Sequence, residues 1–253
     1  MKGEVELRLE LVFELEKPQI IVDNKSVWIS YLKHVISNCN DGKYFNLFFE
    51  NSIQKNYSFA TIFSKPKYEE NIIKLADNTV KMIFSASDKE KTGLIFYSAF
   101  IANKNKMFLM PDNNKMILKT IRQIKEKTIT SSKILIKTVV GGGLVVREHD
   151  KVANKDVYYT VEDECFEKEA KKVLVYQAEK AGFSKKIAEE INIVPIDCKK
   201  IVVKQYGVFI DVTKGVFLLE GNPDLLQYYY QAGIGSKHSM GYGLIDVIAQ
   251  DIE

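Results

Sequence analysis

Apolar and polar positions follow regular spacings through the first half of the chain. Residues 4–14 alternate with period two, which predicts a half-buried strand. Between Val27 and Val35 the apolar residues recur at helical spacing, which predicts a helix that brings Tyr31 and His34 near each other. Further patterns predict strands at 56–63, 78–85 and 115–125, and a helix at 92–101. The resulting order, β-α-β-β-α-β, is the ferredoxin-like pattern.

The second half of the chain repeats this order of elements, although its residues show no sequence repeat. Strands are predicted at 133–140, 199–203, 207–211, 215–219 and 244–249, with a short hairpin arm at 157–160. Helices are predicted at 163–181 and 223–232, the second with Asn222 as its cap and Pro223 in its first turn. The prediction is an α+β protein of two tandem ferredoxin-like (RRM-like) domains, residues 1–127 and residues 128–253.

Composition places the chain among ordinary globular proteins. An apolar fraction of 46% is enough for a sizeable core, and no apolar run reaches the length of a membrane span. The amino terminus lacks the apolar block of a signal peptide, so we expect a cytoplasmic protein without a membrane partner. Three distant cysteines predict neither a disulfide framework nor a zinc site. The net charge of +3 does not by itself indicate nucleic acid.

A glycine-rich stretch lies between the last predicted helix and the last predicted strand. Its glycines have the spacing G-x-G-x5-G-x-G, and Lys237 and His238 stand between the two pairs. This spacing fits neither the dinucleotide-binding fingerprint nor the P-loop. Backbone amides beside a cation can hold an anion, and a plain glycine-rich turn explains the same residues. The spacing alone leaves both interpretations open.

The stretch Gly233-Ile-Gly-Ser-Lys-His-Ser-Met-Gly-Tyr-Gly243 resembles the glycine-rich loop of the CRISPR-associated endoribonucleases that process precursor CRISPR RNA. These enzymes belong to the repeat-associated RNA-binding superfamily. Supporting similarity lies in the segments 28–34, 57–59 and 145–149. The chain departs from the family where relatives carry Ser-Pro, because it has Gly141-Gly142-Gly143 there. We therefore expect that segment to be mobile and its RNA contact to be less certain.

The resemblance implies a function as well as a tandem ferredoxin-like fold. It implies an endoribonuclease that cuts CRISPR repeat RNA by attack of the substrate's own 2′-hydroxyl and leaves a 2′,3′-cyclic phosphate. No cofactor is expected, and three scattered histidines form no recognisable metal site. Relatives of this kind suggest two further partners, a multisubunit CRISPR interference complex and a second copy of the chain.

The catalytic histidine of this family lies on or just after the first helix, so the resemblance favours His34 as general base. Tyr31 would then orient the substrate or act as the acid. His149 is the alternative base, because it stands among carboxylates in Arg147-Glu148-His149-Asp150. His238 is expected to touch RNA phosphate rather than transfer protons. An ordinary surface role remains open for each of these histidines.

RNA binding is assigned to the glycine-rich stretch and to two lysines of the second domain. Tyr242 is the aromatic residue that we expect nearest the RNA bases. The predicted RNA-binding residues are Gly233, Gly235, Ser236, Lys237, His238, Ser239, Gly241, Tyr242, Gly243, Lys133 and Lys137.

Two other functions fit the same residues. A non-catalytic RNA-binding subunit of the same superfamily would keep the glycine-rich stretch and the fold, with His34 incidental. A nucleotide-binding α+β enzyme would use the stretch to hold a free phosphate.

Overall fold

The computed structural model describes residues 7–50, 54–150, 152 and 154–252. Its strands are β1 Leu7–Leu15, β2 Gln19–Ile21, β3 Tyr57–Phe63, β4 Lys67–Tyr68, β5 Ile72–Lys74, β6 Thr79–Ala86, β7 Met107–Met110, β8 Asn114–Ile124, β9 Lys133–Thr138, β10 Val146–Asp150, β11 Lys155–Tyr159, β12 Asn192–Gln205, β13 Val208–Glu220 and β14 Ile245–Gln250. The α-helices are α1 Asn24–Ser37, α2 Thr92–Asn103, α3 Phe166–Lys180, α4 Lys185–Glu189 and α5 Pro223–Ala232. Within the described residues, none of the helices has the length and apolar character needed to span a bilayer.

The first sheet has the strand order β3-β6-β1-β8-β7, and its neighbouring strands run antiparallel. Alternate residues of β1, including Leu9, Leu11 and Phe13, are buried in one core with side chains of α1 and α2. The Phe13 ring packs edge-on against Trp28 of α1, with 5.1 Å between the ring centroids. The order of elements is the predicted ferredoxin-like pattern, and β7 extends the sheet beyond it. Residues 4–6 of the first predicted strand lie outside the described part.

The second sheet has the order β12-β13-β9-β14, which repeats the ferredoxin-like arrangement. Ile134 and Ile136 of β9 share a core with Leu174 of α3 and Leu226 of α5. The helix α5 begins as predicted, because the Asn222 side chain accepts a hydrogen bond from a backbone amide of its first turn. The α+β prediction with two ferredoxin-like units is confirmed. The boundary between residues 127 and 128 stays a prediction.

Two strand predictions in the second half are wrong. The segments 207–211 and 215–219 belong to one continuous strand, β13, and β12 begins at Asn192 rather than at residue 199. Gly215 lies within β13 and does not end it. The backbone of Asp197 in β12 lies so close to Gly215 that a Cβ at position 215 would clash with it, which explains a glycine inside the strand. Pro195 is tolerated because β12 is the edge strand of the sheet.

Several short elements were not predicted from the sequence. The strands β2, β5 and β4 form a small sheet of their own, and each contains two or three residues. Strands this short carry no recognisable period. The predicted hairpin arm is present as β11, which pairs with the unpredicted strand β10.

Lys25, in the first turn of α1, connects the two halves of the chain. Its ammonium donates hydrogen bonds to the carbonyl oxygens of Gly141, at 2.7 Å, and Gly241, at 2.8 Å. The same ammonium lies 5.2 Å from the centre of the Tyr242 ring. Lys25 is only 6% exposed, and its burial, with a smaller effect from the Lys214 charge, lowers its pKa to about 7.

This burial predicts a specific dependence of stability on pH. The unfolded lysine has a pKa of about 10.4. Between the folded pKa of about 7 and this value the unfolded state binds more protons, so the free energy of unfolding rises with pH. From pH 7 to 9 the contribution of Lys25 is about 2 kcal/mol. Urea unfolding across this range should show the rise in the wild type and lose it in Lys25→Met.

The matched control is Lys33→Met, which removes an exposed lysine from the same helix. This variant should keep the pH dependence of the wild type. Identical slopes for the wild type and Lys25→Met would show that Lys25 is not held in a desolvated site.

Candidate nucleic-acid interface

The glycine-rich loop, residues 233–243, connects α5 to β14 as predicted. The loop folds back on itself, because the Ile234 amide donates to the Gly243 carbonyl at 2.9 Å. Gly243 has a φ of 67°, and a Cβ at this position would clash with the Ile234 backbone. A Cβ at Gly233 would meet the Ser58 side chain of β3. These glycines therefore permit close packing within the loop and against the first sheet.

The segment Gly141–Gly143 packs against the same loop. The Gly143 carbonyl accepts a hydrogen bond of 2.6 Å from the Gly243 amide, and the Gly142 amide donates to the Val139 carbonyl at 2.9 Å. Gly141 passes so close to Thr61 of β3 that a Cβ would clash with its backbone. The segment is therefore held by these two backbone hydrogen bonds and by its packing against β3. The expectation of a mobile segment is therefore not supported.

His238 lies inside the protein rather than on its surface. Its ring Nδ1 is 2.9 Å from the Tyr57 carbonyl oxygen and therefore donates to it, which leaves Nε2 to accept from the Gln54 amide at 2.7 Å. The residue is 6% exposed, and burial lowers its pKa. This position does not support the predicted phosphate contact. His238 instead attaches the glycine-rich loop to β3.

Tyr242 is also interior, with 1% of its surface exposed. It packs in a cluster with Val145, Ile210 and Val212. A ring that stacks on a nucleotide base needs an open face, so the prediction that Tyr242 lies nearest the RNA is not supported by its location.

The accessible side of the loop is formed by Ser236, Lys237 and Ser239, which are half-buried. The Ser236 amide donates to the Val145 carbonyl at 2.8 Å, and this contact places the loop beside the start of β10. Burial lowers the pKa of Lys237, and the nearby positive charge of Arg147 lowers it further. Lys237 is therefore a loop cation beside the β10–β11 hairpin.

The β10–β11 hairpin carries a polar network next to Lys237. Side chains of alternate strand residues share one face, which brings Arg147, His149, Asp156 and Tyr158 together. The Asp156 carboxylate accepts hydrogen bonds from Arg147 at 3.0 Å, from His149 at 2.8 Å and from the Tyr158 hydroxyl at 3.1 Å. Burial alone would raise the pKa of Asp156, but the hydrogen bonds from His149 and Arg147 lower it to about 2.

The contact with Asp156 defines the chemistry open to His149. Because a carboxylate only accepts, the His149 Nδ1 carries the proton that it donates, and in the neutral ring Nε2 then carries the lone pair. The side chain is 39% exposed, so solvent or a ligand can reach the ring. A carboxylate that fixes the tautomer of an accessible imidazole is the arrangement of a general base.

His34 lies near the other end of α1 from the glycine-rich loop. It is nine residues beyond Lys25, which corresponds to about 13 Å along a helix axis. The Asn38 amide donates to its Nε2 at 3.0 Å, and its ring packs edge-on against Phe108, with 5.2 Å between centroids. Burial and the Lys106 charge lower its pKa.

Tyr31 is part of the first core. It is 3% exposed, and its ring packs against Phe13 and Phe108 at centroid distances of 5.1 and 5.4 Å. Its buried hydroxyl has no hydrogen-bond partner within the described residues, and burial raises its pKa. This environment does not favour proton donation to a substrate.

The two predicted lysines of β9 lie apart from this network. Lys133 is 3.7 Å from the Glu220 carboxylate, while Lys137 is exposed and lies in register with Val216 and Asp246. Whether they bind RNA stays a prediction. Across the ranges that the structure describes, no group of three or more His, Cys, Asp or Glu side chains is arranged to hold a metal ion.

Three residues of the network, Arg147, Asp156 and Tyr158, were not predicted as site residues. Arg147 stood in the segment that carried the family resemblance, but its role was not assigned. Asp156 had no sequence signal of its own, because it reaches His149 only through the pairing of β10 with β11. Alternation along a predicted hairpin could have identified it.

Comparison with known proteins agrees with the fold and the loop. Residues 124–247 match the family described as CRISPR associated protein Cas6, C-terminal. A solved structure of a Cas6-related gene product from Pyrococcus furiosus superposes with a TM-score of 0.80 and 19% identity, over 97% of this chain and 100% of that one. A RAMP protein described as binding different RNA substrates gives 0.78 and 19%, over 96% and 100%. A Cas6 product complex gives 0.70 and 11%, over 96% and 100%.

A comparison with curated proteins finds no match. The structural likenesses are all below 20% identity and show the shared fold. The match of the C-terminal part rests on the sequence itself and includes the whole glycine-rich loop. The match over residues 124–247 confirms the resemblance to CRISPR-associated RNA-processing proteins that the glycine-rich loop predicted.

Proposed function

We propose that the chain binds CRISPR repeat RNA beside the glycine-rich loop and cleaves it without a metal ion. The observation that carries the proposal is the His149–Asp156 pair, which lies beside Lys237 of that loop. The family match and the neighbours described as an RNA-binding RAMP protein and a Cas6 product complex support the choice of RNA as substrate. Assembly into a multisubunit CRISPR interference complex stays a prediction.

The reaction needs a base, an acid and positive charge at the phosphate. His149 Nε2 takes the proton of the 2′-hydroxyl, whose oxygen then forms a bond to phosphorus as the bond to the 5′-oxygen breaks. Lys237 donates a proton to the departing 5′-oxygen, and its lowered pKa makes it a better acid than an ordinary lysine. The Arg147 guanidinium stabilises the negative charge that develops on the phosphate. The products are a 2′,3′-cyclic phosphate and a 5′-hydroxyl.

His149 is preferred to His34 as the base for two reasons. His149 has a carboxylate partner that fixes its tautomer, whereas the Asn38 amide donates to the Nε2 of His34. His149 also lies beside the accessible side of the glycine-rich loop, while His34 lies near the far end of α1. A phosphate bound at Lys237 would therefore lie nearer to His149 than to His34, because Asp156, which contacts His149, is also close to Lys237.

Replacement of the proposed base predicts a selective loss of cleavage. His149→Ala should lower the single-turnover cleavage rate of repeat RNA by about 10²- to 10⁴-fold, the usual contribution of a general base. RNA affinity should persist, because phosphate contacts dominate binding. Asp156→Asn should also slow cleavage, since an amide does not hold the imidazole in the same way. His34→Ala is the matched control and should cut at the wild-type rate.

The assay is run in EDTA, and a repeat RNA with a 2′-deoxy sugar at the cut site should bind without being cut. Loss of cleavage in His34→Ala, with activity kept in His149→Ala, would assign the base to His34 and contradict the proposed geometry. Tight binding of intact RNA with no cleavage by the wild type would instead identify a non-catalytic RNA-binding subunit. Binding of free nucleotides without RNA binding would favour a nucleotide-binding enzyme.

Lys237 should contribute to RNA affinity as well as to cleavage. Lys237→Gln removes a cation at the accessible side of the loop and should weaken RNA binding by about 10-fold, or about 1.4 kcal/mol. The plot of log affinity against log salt should become shallower by about 0.7, the value for one phosphate contact with a single strand. Lys186→Gln, at an exposed lysine of α4, is the control and should bind like the wild type. An unchanged salt slope in Lys237→Gln would exclude a direct phosphate contact.

A further inference from the structure

A polar cleft lies between the two halves of the chain at Lys89. This residue stands in the connection between β6 and α2, and it lines two cavities of about 480 and 570 Å³. Each cavity has the size of an ordinary small-molecule site. The second half of the chain contributes the end of α3, the following Phe183 and residues of α5. Among the described lining residues, none belongs to the network around His149.

The Lys89 side chain is held in place within this cleft. Its ammonium donates to the Ala181 carbonyl, just after α3, and lies 4.8 Å from the centre of the Phe183 ring and 5.4 Å from that of Tyr228. The C-terminal end of a helix and the faces of aromatic rings both attract a cation. An ammonium has three hydrogens, so Lys89 can still donate to a ligand from this fixed position.

The larger cavity is lined by two residues with polar atoms that have no partner within the described part of the chain. Ser87 is 3% exposed, and its hydroxyl is one of these groups. The Gln227 oxygen accepts from the Ile129 amide at 2.8 Å, so the unpaired atom of this side chain is its nitrogen, a donor. Buried polar groups without a partner are costly and uncommon. Both groups therefore point to a polar ligand.

The larger cavity also offers acceptors and an aromatic wall. The carboxylates belong to Asp88 and Asp224, and the rings to Phe183 and Tyr228. A flat ring with donors and an acceptor on one edge satisfies this set. Guanine carries N1–H and N2–H₂ beside the O6 acceptor, so a carboxylate accepts from the first two and the Gln227 amide donates to the third. Adenine lacks this pair of adjacent donors.

The smaller cavity provides cations for a phosphate. Lys180, the last residue of α3, lines it together with Lys89. The Lys180 ammonium lies 5.4 Å from the centre of the Tyr176 ring, which is 60% exposed. These two ammonium groups outnumber the single carboxylate among the described lining residues, that of Glu90. A lysine binds phosphate as a point charge, without a fixed geometry.

We propose that this cleft binds a guanine nucleotide, with the base in the larger cavity and the phosphate between Lys89 and Lys180. Single-stranded repeat RNA and a free nucleotide present the same base and phosphate, and only the RNA source rests on the proposed function. Gln54 lines the smaller cavity and also donates to the Nε2 of His238. The cleft therefore reaches the residue that attaches the glycine-rich loop to β3.

Calorimetric titration of the full chain with GMP, AMP and guanosine tests the proposal without RNA. GMP should bind at least about 10-fold more tightly than AMP, the discrimination of one good bidentate base contact. Guanosine should bind more weakly than GMP, because it has no phosphate for the two lysines. Equal affinities for GMP and AMP, or no saturable binding of GMP up to about 1 mM, would overturn the proposal.

Variants separate the base contact from the phosphate contact. Asp88→Asn combined with Asp224→Asn should abolish the preference for GMP over AMP. Lys180→Gln should weaken GMP binding by about 10-fold and leave guanosine binding unchanged. Glu179→Gln, at an exposed residue of the same helix, is the control and should bind like the wild type. A preference for GMP that survives the double aspartate variant would contradict the assigned base contact.

Competition with a short single-stranded RNA identifies the source of the nucleotide. A tetranucleotide with one guanosine should displace GMP if RNA supplies the base, and displacement by neither this RNA nor its adenosine counterpart identifies a free nucleotide. Equal displacement by both would overturn the recognition of guanine. Loss of GMP binding in Lys237→Gln would place the phosphate at the glycine-rich loop and overturn the assignment to the cleft. A chain that binds GMP but does not cut RNA contradicts only the proposed function.

Discussion

The architecture of the candidate site depends on one buried amino group. The Lys25 ammonium bonds the carbonyls of Gly141 and Gly241 and faces the Tyr242 ring, so one side chain of the first half holds two loops of the second. Burial of a lysine is costly, and the two carbonyl acceptors offset part of that cost. Gly241 approaches the Lys25 side chain more closely than a Cβ would permit, and Gly141 approaches the backbone of Thr61 in β3 in the same way. Buried contacts, rather than surface contacts, therefore determine the position of the glycine-rich loop.

This anchoring separates the loop into two parts with different tasks. His238 and Tyr242 point into the protein and attach the loop to β3 and to the end of the second sheet. Ser236, Lys237 and Ser239 form the accessible side, next to the β10–β11 hairpin. Because the interior contacts already fix the loop, RNA binding at Lys237 does not require the entropy loss of ordering the loop. On this account the loop holds the RNA phosphate and the hairpin supplies the base.

Periodicity was sufficient to predict the architecture but not the environment of each site residue. Most strands and helices of both ferredoxin-like units follow from alternation and helical spacing. The exceptions include β12, which begins at Asn192, and β13, which continues through Gly215. The loop motif predicted Lys237 as an RNA-binding cation, and the structure leaves its side chain half-buried. A motif does not reveal which way a side chain points. Tyr242 and Tyr31 were therefore assigned to RNA chemistry although both are buried. Asp156 was missed because its partner lies across a hairpin rather than nearby in sequence.

The central claim concerns where the scissile phosphate lies, and a crystal structure with a 2′-deoxy repeat RNA measures this directly. The deoxy sugar prevents cleavage and leaves the substrate in place. The account predicts that the scissile phosphate contacts Lys237, and that the 2′ carbon lies within about 4 Å of His149 Nε2, as general-base geometry requires. A scissile phosphate bound at the far end of α1 beside His34, with the hairpin empty of RNA, would contradict it.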